Sequence, residues 1–311
     1  MKVLVVCSGN AKNFDFQKHQ AFIYDQVEAV KKADPGISFD YYFISRKGIK
    51  GYLLSLKELK KKFELNNYHC IHAHFSLSAL LANLQRKVPV ISTFHGSDIN
   101  NNINRIFSLF VEILSKKTIY VTRGLLNKAF FNVKRKNAII TCGVDFDLFK
   151  PLSKSASRQT MGLSIQKKYI LFSSGFDNTI KNYPLAKAAL ERIGDSNIEL
   201  LELKNYTRKE VAVLFNVVDL ALMTSFSEGS PQFVKEAIAC NCPIVSTDVG
   251  DVRKVIGNIK GCFITTFQIE DVADKIQKAL NFGKRTNGRE KIQHLDSRVI
   301  AEKIITVYKN I

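Results

Sequence analysis

The chain has 311 residues, 46% of them hydrophobic, enough for two α/β cores of about 150 residues each. No apolar run approaches the ~20 residues of a membrane-spanning helix, and Cys7, Cys70, Cys142, Cys240, Cys242 and Cys262 lie in or beside apolar runs, as expected of a cytoplasmic chain. The net charge of +18 is uneven: residues 1–150 hold 23 Lys and Arg against 11 Asp and Glu, whereas residues 151–311 hold 23 against 17. A basic first half implies an anionic partner, such as a phosphorylated acceptor or an acidic membrane surface; no recognition motif for nucleic acid accompanies the charge.

Lys2–Cys7 reads as a first strand rather than a signal segment, because Asn10-Ala11-Lys12-Asn13 follows at once. The strand ends in Ser8-Gly9-Asn10, a loop in which Gly9 is the one evident glycine. Phe22, Ile23, Val27 and Val30 predict a helix closed by Asp34-Pro35-Gly36, and Phe39–Ile44 a second strand. Leu53, Leu54, Leu56, Leu59 and Phe63 share a helix with Lys57, Lys60, Lys61 and Lys62; Ile106, Phe107, Leu109, Phe110, Ile113 and Leu114 share one with Lys116 and Lys117. Either is a core-facing helix with a solvated face or one that lies on a membrane surface.

His69–His74 is a strand with His72 and His74 on one face; no third ligand is evident, so zinc is not implied. The strand Val88–Phe94 ends in His95-Gly96-Ser97-Asp98, at a carboxyl edge. The His95 ring is tunable and can hydrogen-bond a ligand hydroxyl or a moving proton, and Asp98 would orient the loop. Two more strands, Ile119–Thr122 and Ala138–Thr141, precede Cys142-Gly143-Val144-Asp145-Phe146-Asp147-Leu148-Phe149-Lys150-Pro151. The Asp145-x-Asp147 pair there is turn chemistry ahead of a proline, not a metal site.

Tyr169–Ser174 opens a second run of strands and leads into Gly175-Phe176-Asp177-Asn178-Thr179-Ile180-Lys181-Asn182. Ile198–Leu203 follows, then Thr207, which with Glu210 predicts a capping box. The strand ending at Met223 leads to Phe226-Ser227-Glu228-Gly229-Ser230, with Ser230 as the expected N-cap and Pro231 at the first helical position. Glu236 lies in that helix, and Ile244–Thr247 is the next strand, completing a parallel βαβ unit. A loop carboxylate, helix amides and a second carboxylate suit a polyhydroxylated ligand bearing phosphates. Asp248-Val249-Gly250-Asp251, a strand at Gly261–Ile264 and two further helices complete the chain.

The Glu228-to-Glu236 stretch, with Gly229, Pro231, Ala237, Pro243, Val245, Thr247 and Gly250, resembles the E-x7-E signature of the family 4 retaining glycosyltransferases of the GT-B fold. The elements at 95–98, 142–151 and 175–182 resemble that family's other motifs. The resemblance implies two Rossmann-like domains facing a cleft: residues 1–148 on the acceptor side, 149–296 binding a nucleotide sugar, and a helix at 297–311 crossing back. It implies Glu228, His95 and Lys181 as catalytic residues, and Glu236, Gly229, Ser230, Pro231, Gly9, Asn182 and Gly175 as donor-binding. Asp98 would lie on the acceptor side. The implied reaction moves a hexose or N-acetylhexosamine from a nucleotide-diphosphate sugar to a glycan or lipid-linked acceptor. It needs no metal or cofactor and belongs to surface polysaccharide or lipopolysaccharide assembly on the inner face of the membrane. Relatives carry an arginine at the position of Phe176, so a non-catalytic nucleotide-sugar binder, or an epimerase on the same fold, are the alternatives.

Overall fold

The computed structural model describes residues 1–46 and 48–311, apart from the side chains of residues 49, 53, 64 and 103. Leu53 of the first lysine-flanked helix therefore lies outside the described residues. The chain divides into two units, Met1–Gly143 with Ser297–Ile311, and Val144–Asp296. Each is a parallel sheet with helices, as the alternation of continuous apolar runs with helical periodicity dictates.

In the first unit β1 (Lys2–Ser8), β2 (Ser38–Ile44), β3 (Cys70–His74), β4 (Val90–Phe94), β5 (Lys117–Tyr120) and β6 (Asn137–Ile139) lie in the order β2-β1-β3-β4-β5-β6. Every pairing is parallel, so all carboxyl ends open on one edge. The helix Ser297–Lys309 buries Ile300, Ile304, Ile305 and Tyr308 in the same cluster as Val3, Cys70, Ile91 and Ile119. Of the two lysine-flanked helices, Gly48–Glu64 faces the core: Leu59 is fully buried, with Leu56 and Phe63 packed beside it.

The second unit orders β7 (Lys168–Phe172), β8 (Ile198–Glu202), β9 (Leu220–Met223), β10 (Ile244–Thr247) and β11 (Cys262–Thr265) as β11-β10-β9-β7-β8. Strand ends differ from the sequence-based expectation by up to about two residues, the usual fraying. Residues 144–148, expected in the first domain, belong to this unit because Val144, Phe146 and Phe149 are buried in its core. Asp145 Oδ1 accepts the amides of Asp147 (2.9 Å) and Leu148 (3.1 Å), so its carboxylate closes a turn. No group of His, Cys, Asp and Glu with metal-binding geometry occurs among the described residues.

Candidate functional site

The second unit gathers most of the expected site at the carboxyl edge of its sheet. β9 runs directly into Thr224, which is fully buried. Its Oγ1 meets the carbonyls of Lys181 (3.0 Å) and Asn182 (2.9 Å), and the Phe226 amide donates to the Ile180 carbonyl at 2.9 Å. Asn182 takes φ 54°, a left-handed conformation that asparagine tolerates better than most residues, and it turns the chain from Thr179–Lys181 into the helix Tyr183–Ile193. This stitching places Lys181 Nζ 2.6 Å from Glu228 Oε1, with both side chains about four-fifths covered.

Glu236 lies in the helix Gln232–Ala239 and is almost fully buried. Its carboxylate accepts from Arg208 Nη1 at 2.7 Å. Arg208 is the first residue of the helix Arg208–Val217, whose Thr207–Glu210 capping box forms as expected. A cation at a helix N-terminus opposes the helix dipole. Arg208 is held there by Glu236 and by Phe149, whose ring centre lies 4.7 Å from the guanidinium carbon. Sequence reasoning gave Arg208 no role; its one signal was a positive charge where the dipole disfavours one.

The loop between the two glutamates is braced by a buried network. Ser230 does not cap the helix, correcting the expectation: Pro231 is the N-cap and the helix begins at Gln232. The Ser230 hydroxyl instead meets Asp251 Oδ2 at 2.7 Å and receives a hydrogen bond from Lys235 Nζ at 2.5 Å. Lys235 is 0% exposed, and burying its polar head is costly without hydrogen bonds such as this one. Gly250, at φ +62°, lies so near the loop that an added Cβ would be 2.4 Å from the Gly229 carbonyl oxygen. The loop bearing Glu228 and Gly229 is thus held by Lys235, Gly250 and Asp251; sequence reasoning had Gly250 as part of the signature stretch and gave Lys235 and Asp251 no functional role.

At Gly175 an added Cβ would sit 2.6 Å from Asp177 Oδ1, the end of a side chain that can move away. Phe176 donates its amide to Glu202 Oε1 at 2.7 Å and stacks on Tyr183 with ring centres 4.1 Å apart. Position 176 therefore contributes packing, and the cations of this edge come from Lys181, Arg208 and the exposed Lys204, which pairs with Asp177 at 2.9 Å.

Gly9, His95 and Asp98 belong to the first unit. Gly9 closes the turn after β1, its amide bonded to the Ile44 carbonyl at 2.9 Å, where a Cβ would strike Phe43. Asp98 is 1% exposed; its carboxylate accepts the amides of Gly96 (2.8 Å) and His95 (3.1 Å) and so ties the loop to itself. Burial pushes this carboxyl up to about 6, against the pull of those amides. His95 is half-buried, with Nε2 3.0 Å from His74 Nδ1. His72 and His74 share a face, as β-strand alternation requires, and stack at 4.3 Å. His72 meets the Tyr308 hydroxyl and Thr93 Oγ1, each at 2.7 Å. Hydroxyl partners satisfy a neutral imidazole in either tautomer, and burial lowers His72 to about 3. Burial likewise holds His74 far below the usual histidine range.

Two family models match the chain: Glycosyltransferase Family 4 over residues 2–148 and Glycosyl transferases group 1 over residues 181–293. An uncharacterized glycosyltransferase of Methanocaldococcus jannaschii is 27% identical over 259 residues, spanning 76% of this chain and 72% of that one. A putative teichuronic acid biosynthesis glycosyltransferase of Bacillus subtilis is 22% identical; the match covers 67% of this chain and 60% of the relative. Among solved structures, Anabaena HepE in complex with UDP-glucose superposes over the whole of both chains with a TM-score of 0.76 at 14% identity, a likeness of fold.

Proposed function

The chain belongs to the family 4, group 1 glycosyltransferases with the GT-B fold, and on that premise we propose that it transfers a hexose or N-acetylhexosamine with retention from a nucleotide-diphosphate sugar. The observation that carries the reading is the pair of carboxylate–cation contacts, Glu228–Lys181 and Glu236–Arg208, on one sheet edge of the second unit. Glu236, oriented by Arg208, accepts the ribose hydroxyls. Glu228 binds sugar hydroxyls near the anomeric carbon.

Lys181 stands beside Glu228, where the leaving diphosphate gains charge as its bond to the anomeric carbon breaks. A cation already in place offsets that charge without reorganisation. The amides from Gly229 and Ser230 onward contribute in the same sense, with Pro231 setting the entry of the helix. The acceptor hydroxyl attacks from the face the diphosphate leaves, and its proton passes to the departing phosphate oxygen. Lysine, arginine and amides supply the positive charge, so the proposed reaction uses no metal. In the first unit, Asp98 shapes the loop that bears His95. The match to a teichuronic acid relative supports a glycan or lipid-linked acceptor in surface polysaccharide assembly.

Transfer from a panel of nucleotide sugars, with the anomeric configuration of the product read by NMR, tests the proposal. Retention is expected, with transfer reduced by Lys181→Ala and Glu236→Ala. Unchanged rates in both variants would remove the site assignment. Isomerised sugar in the absence of acceptor would point to an epimerase, and donor binding without turnover to a binding protein, the alternative Phe176 raised.

A further inference from the structure

Two exposed aromatic rings stand on the carboxyl edge of the second unit's sheet. Phe226 lies in the loop after β9, two residues before Glu228, and is 59% exposed. Phe267 lies in the loop after β11 and is 47% exposed. Their rings stack with centres 5.6 Å apart and an interplanar angle of 24°. Among the described residues no other contacting aromatic pair has both members exposed. Both loops are braced. The Phe226 amide donates to the Ile180 carbonyl at 2.9 Å, and Thr247 Oγ1 donates to the Ser225 carbonyl at 2.8 Å. Asp271 Oδ2 accepts the Thr266 amide (2.7 Å) and the hydroxyls of Thr266 (2.9 Å) and Thr265 (3.1 Å). The loops that carry the pair are fixed in advance, so little ordering entropy remains to be lost on binding.

Leaving about half of each ring in water forgoes its burial, and the carboxyl edge is where ligands bind in such sheets. At ~200 Å² for a whole phenylalanine, the two rings expose about 200 Å² together, far below the ~800 Å² per partner of a stable protein interface. A flat small ligand fits that area. The face of an aromatic ring is electron-rich, and the C–H face of a pyranose, weakly positive and flat, lies well on it. Groups for the hydroxyls stand nearby. β10 runs between β9 and β11, and the exposed Asp248 that follows it pairs with Arg253 at 2.7 Å. A flat apolar surface with a few polar groups beside it is the usual make-up of a small-ligand site. Strand order separates the pair from the proposed nucleotide contacts. Along β11-β10-β9-β7-β8, Arg208 opens the helix after β8, Lys181 and Glu228 follow β7 and β9, and the rings span β9 to β11. A donor with its ribose at Glu236 and Arg208 and its sugar at Glu228 leaves the β11 side to the acceptor.

We infer that Phe226 and Phe267 form a sugar-binding subsite that stacks a pyranose ring of the acceptor glycan beside Glu228, with Asp248 and Arg253 placed for its hydroxyls. That this sugar is the acceptor rests on the proposed transfer reaction; the stacking itself needs no nucleotide. Stacking reads the C–H face of the ring rather than each hydroxyl, so the subsite accepts more than one neutral glycan and favours rings whose substituents are equatorial.

Saturation-transfer NMR of the full chain with cellotetraose, chitotetraose and maltotetraose, in the absence of nucleotide, tests it. Irradiating the aromatic protons should saturate ring C–H protons of at least one of the three. Phe226→Ala with Phe267→Ala should remove that transfer, Phe267→Ala alone should weaken binding by up to about ten-fold, and Phe267→Tyr should retain it. Both positions are exposed, so the melting temperatures of the variants should match the parent. Transfer to none of the oligosaccharides, or transfer that survives in the double variant, would overturn the inference and leave the donor reading intact. The double variant is also melted with whichever nucleotide stabilises the parent, and an undiminished rise is expected. Loss of that rise would assign the rings to the donor and overturn the inference. Oligosaccharide binding through the two rings in a parent that no nucleotide stabilises would support the sugar subsite and remove the donor reading.

Discussion

At the residue scale the site consists of charges whose partners lie far away in sequence. The E-x7-E spacing was legible because both glutamates fall within one βαβ unit. Their cations were not: Lys181 is 47 residues before Glu228, and Arg208 is 28 before Glu236. Lys181 was read from a motif, whereas Arg208 stood in a position that helix electrostatics alone makes costly. Lys181→Ala should lower kcat by about 10²–10³, the scale of removing one preorganised group at a developing anion, with a smaller effect on KM. A loss confined to KM would place Lys181 in ground-state binding only. Lys235→Met keeps the buried alkyl stem but removes the donor to Ser230. Denaturant unfolding should show a loss of about 1–3 kcal/mol, the range for an unsatisfied buried polar group, with a raised donor KM. Unaltered stability and KM would mean that the Ser230–Asp251 contact alone holds the loop.

At the scale of elements the sequence was most readable in the strands. The eleven strands among the described residues pair in parallel, and most are short apolar runs, as strands covered on both faces must be; the edge strands β2 and β8 are half-buried and keep Asp40, Glu199 and Glu202. Helix starts were less readable. Ser230 satisfies the usual N-cap pattern, yet Lys235 and Asp251 compete for its hydroxyl, and the helix begins two residues later than the serine. The two lysine-flanked helices carry the same pattern and part company only in the fold: one finds β-sheet to cover its apolar face, the other does not fully. The turn after β10 makes a prediction of its own. Gly250→Ala puts a methyl group against the Gly229 carbonyl at a positive φ, so the loop must move. Stability should fall by roughly 1–3 kcal/mol and donor affinity at least ten-fold. Full donor affinity would show that the loop position is not what binds donor.

For the whole molecule, the division into units followed from length and motif order, but the place of residues 144–148 depended on which core had room for Val144, Phe146 and Phe149. The first unit also closes through its C-terminal helix, whose Tyr308 hydroxyl reaches the buried His72. Periodicity predicted that helix, and no local signal could pair it with a histidine 236 residues earlier. His72 falls from 6.5 to about 3 in the folded chain. Below about 6.5 the unfolded chain takes up a proton that the native state refuses, so stability is fully present above that pH and is lost toward 3. His74 acts in the same direction. Asp98 opposes them: with its carboxyl raised to about 6, its contribution is present below its ordinary range and lost as pH rises through 6. Two histidines against one carboxyl leave a net loss on acidification, about 1.4 kcal/mol per pH unit for each uncompensated proton. Urea unfolding at pH 7.5 and 5.0 should show the parent less stable at the lower pH, and His72→Gln less sensitive to the change. An identical slope in both proteins would remove His72 as a source.

The central claim, that the second unit binds a nucleotide-diphosphate sugar through Glu236 and Lys181 without metal, is tested most directly by thermal denaturation with UDP, GDP, ADP, CMP and their common sugars. The screen is run with and without EDTA. A ligand at one hundred times its Kd stabilises the native state by about 2.7 kcal/mol. The account predicts a rise in melting temperature with one nucleotide class, unchanged by EDTA and lost in Glu236→Ala. No rise with any nucleotide, or a rise that survives Glu236→Ala or vanishes with EDTA, would contradict it.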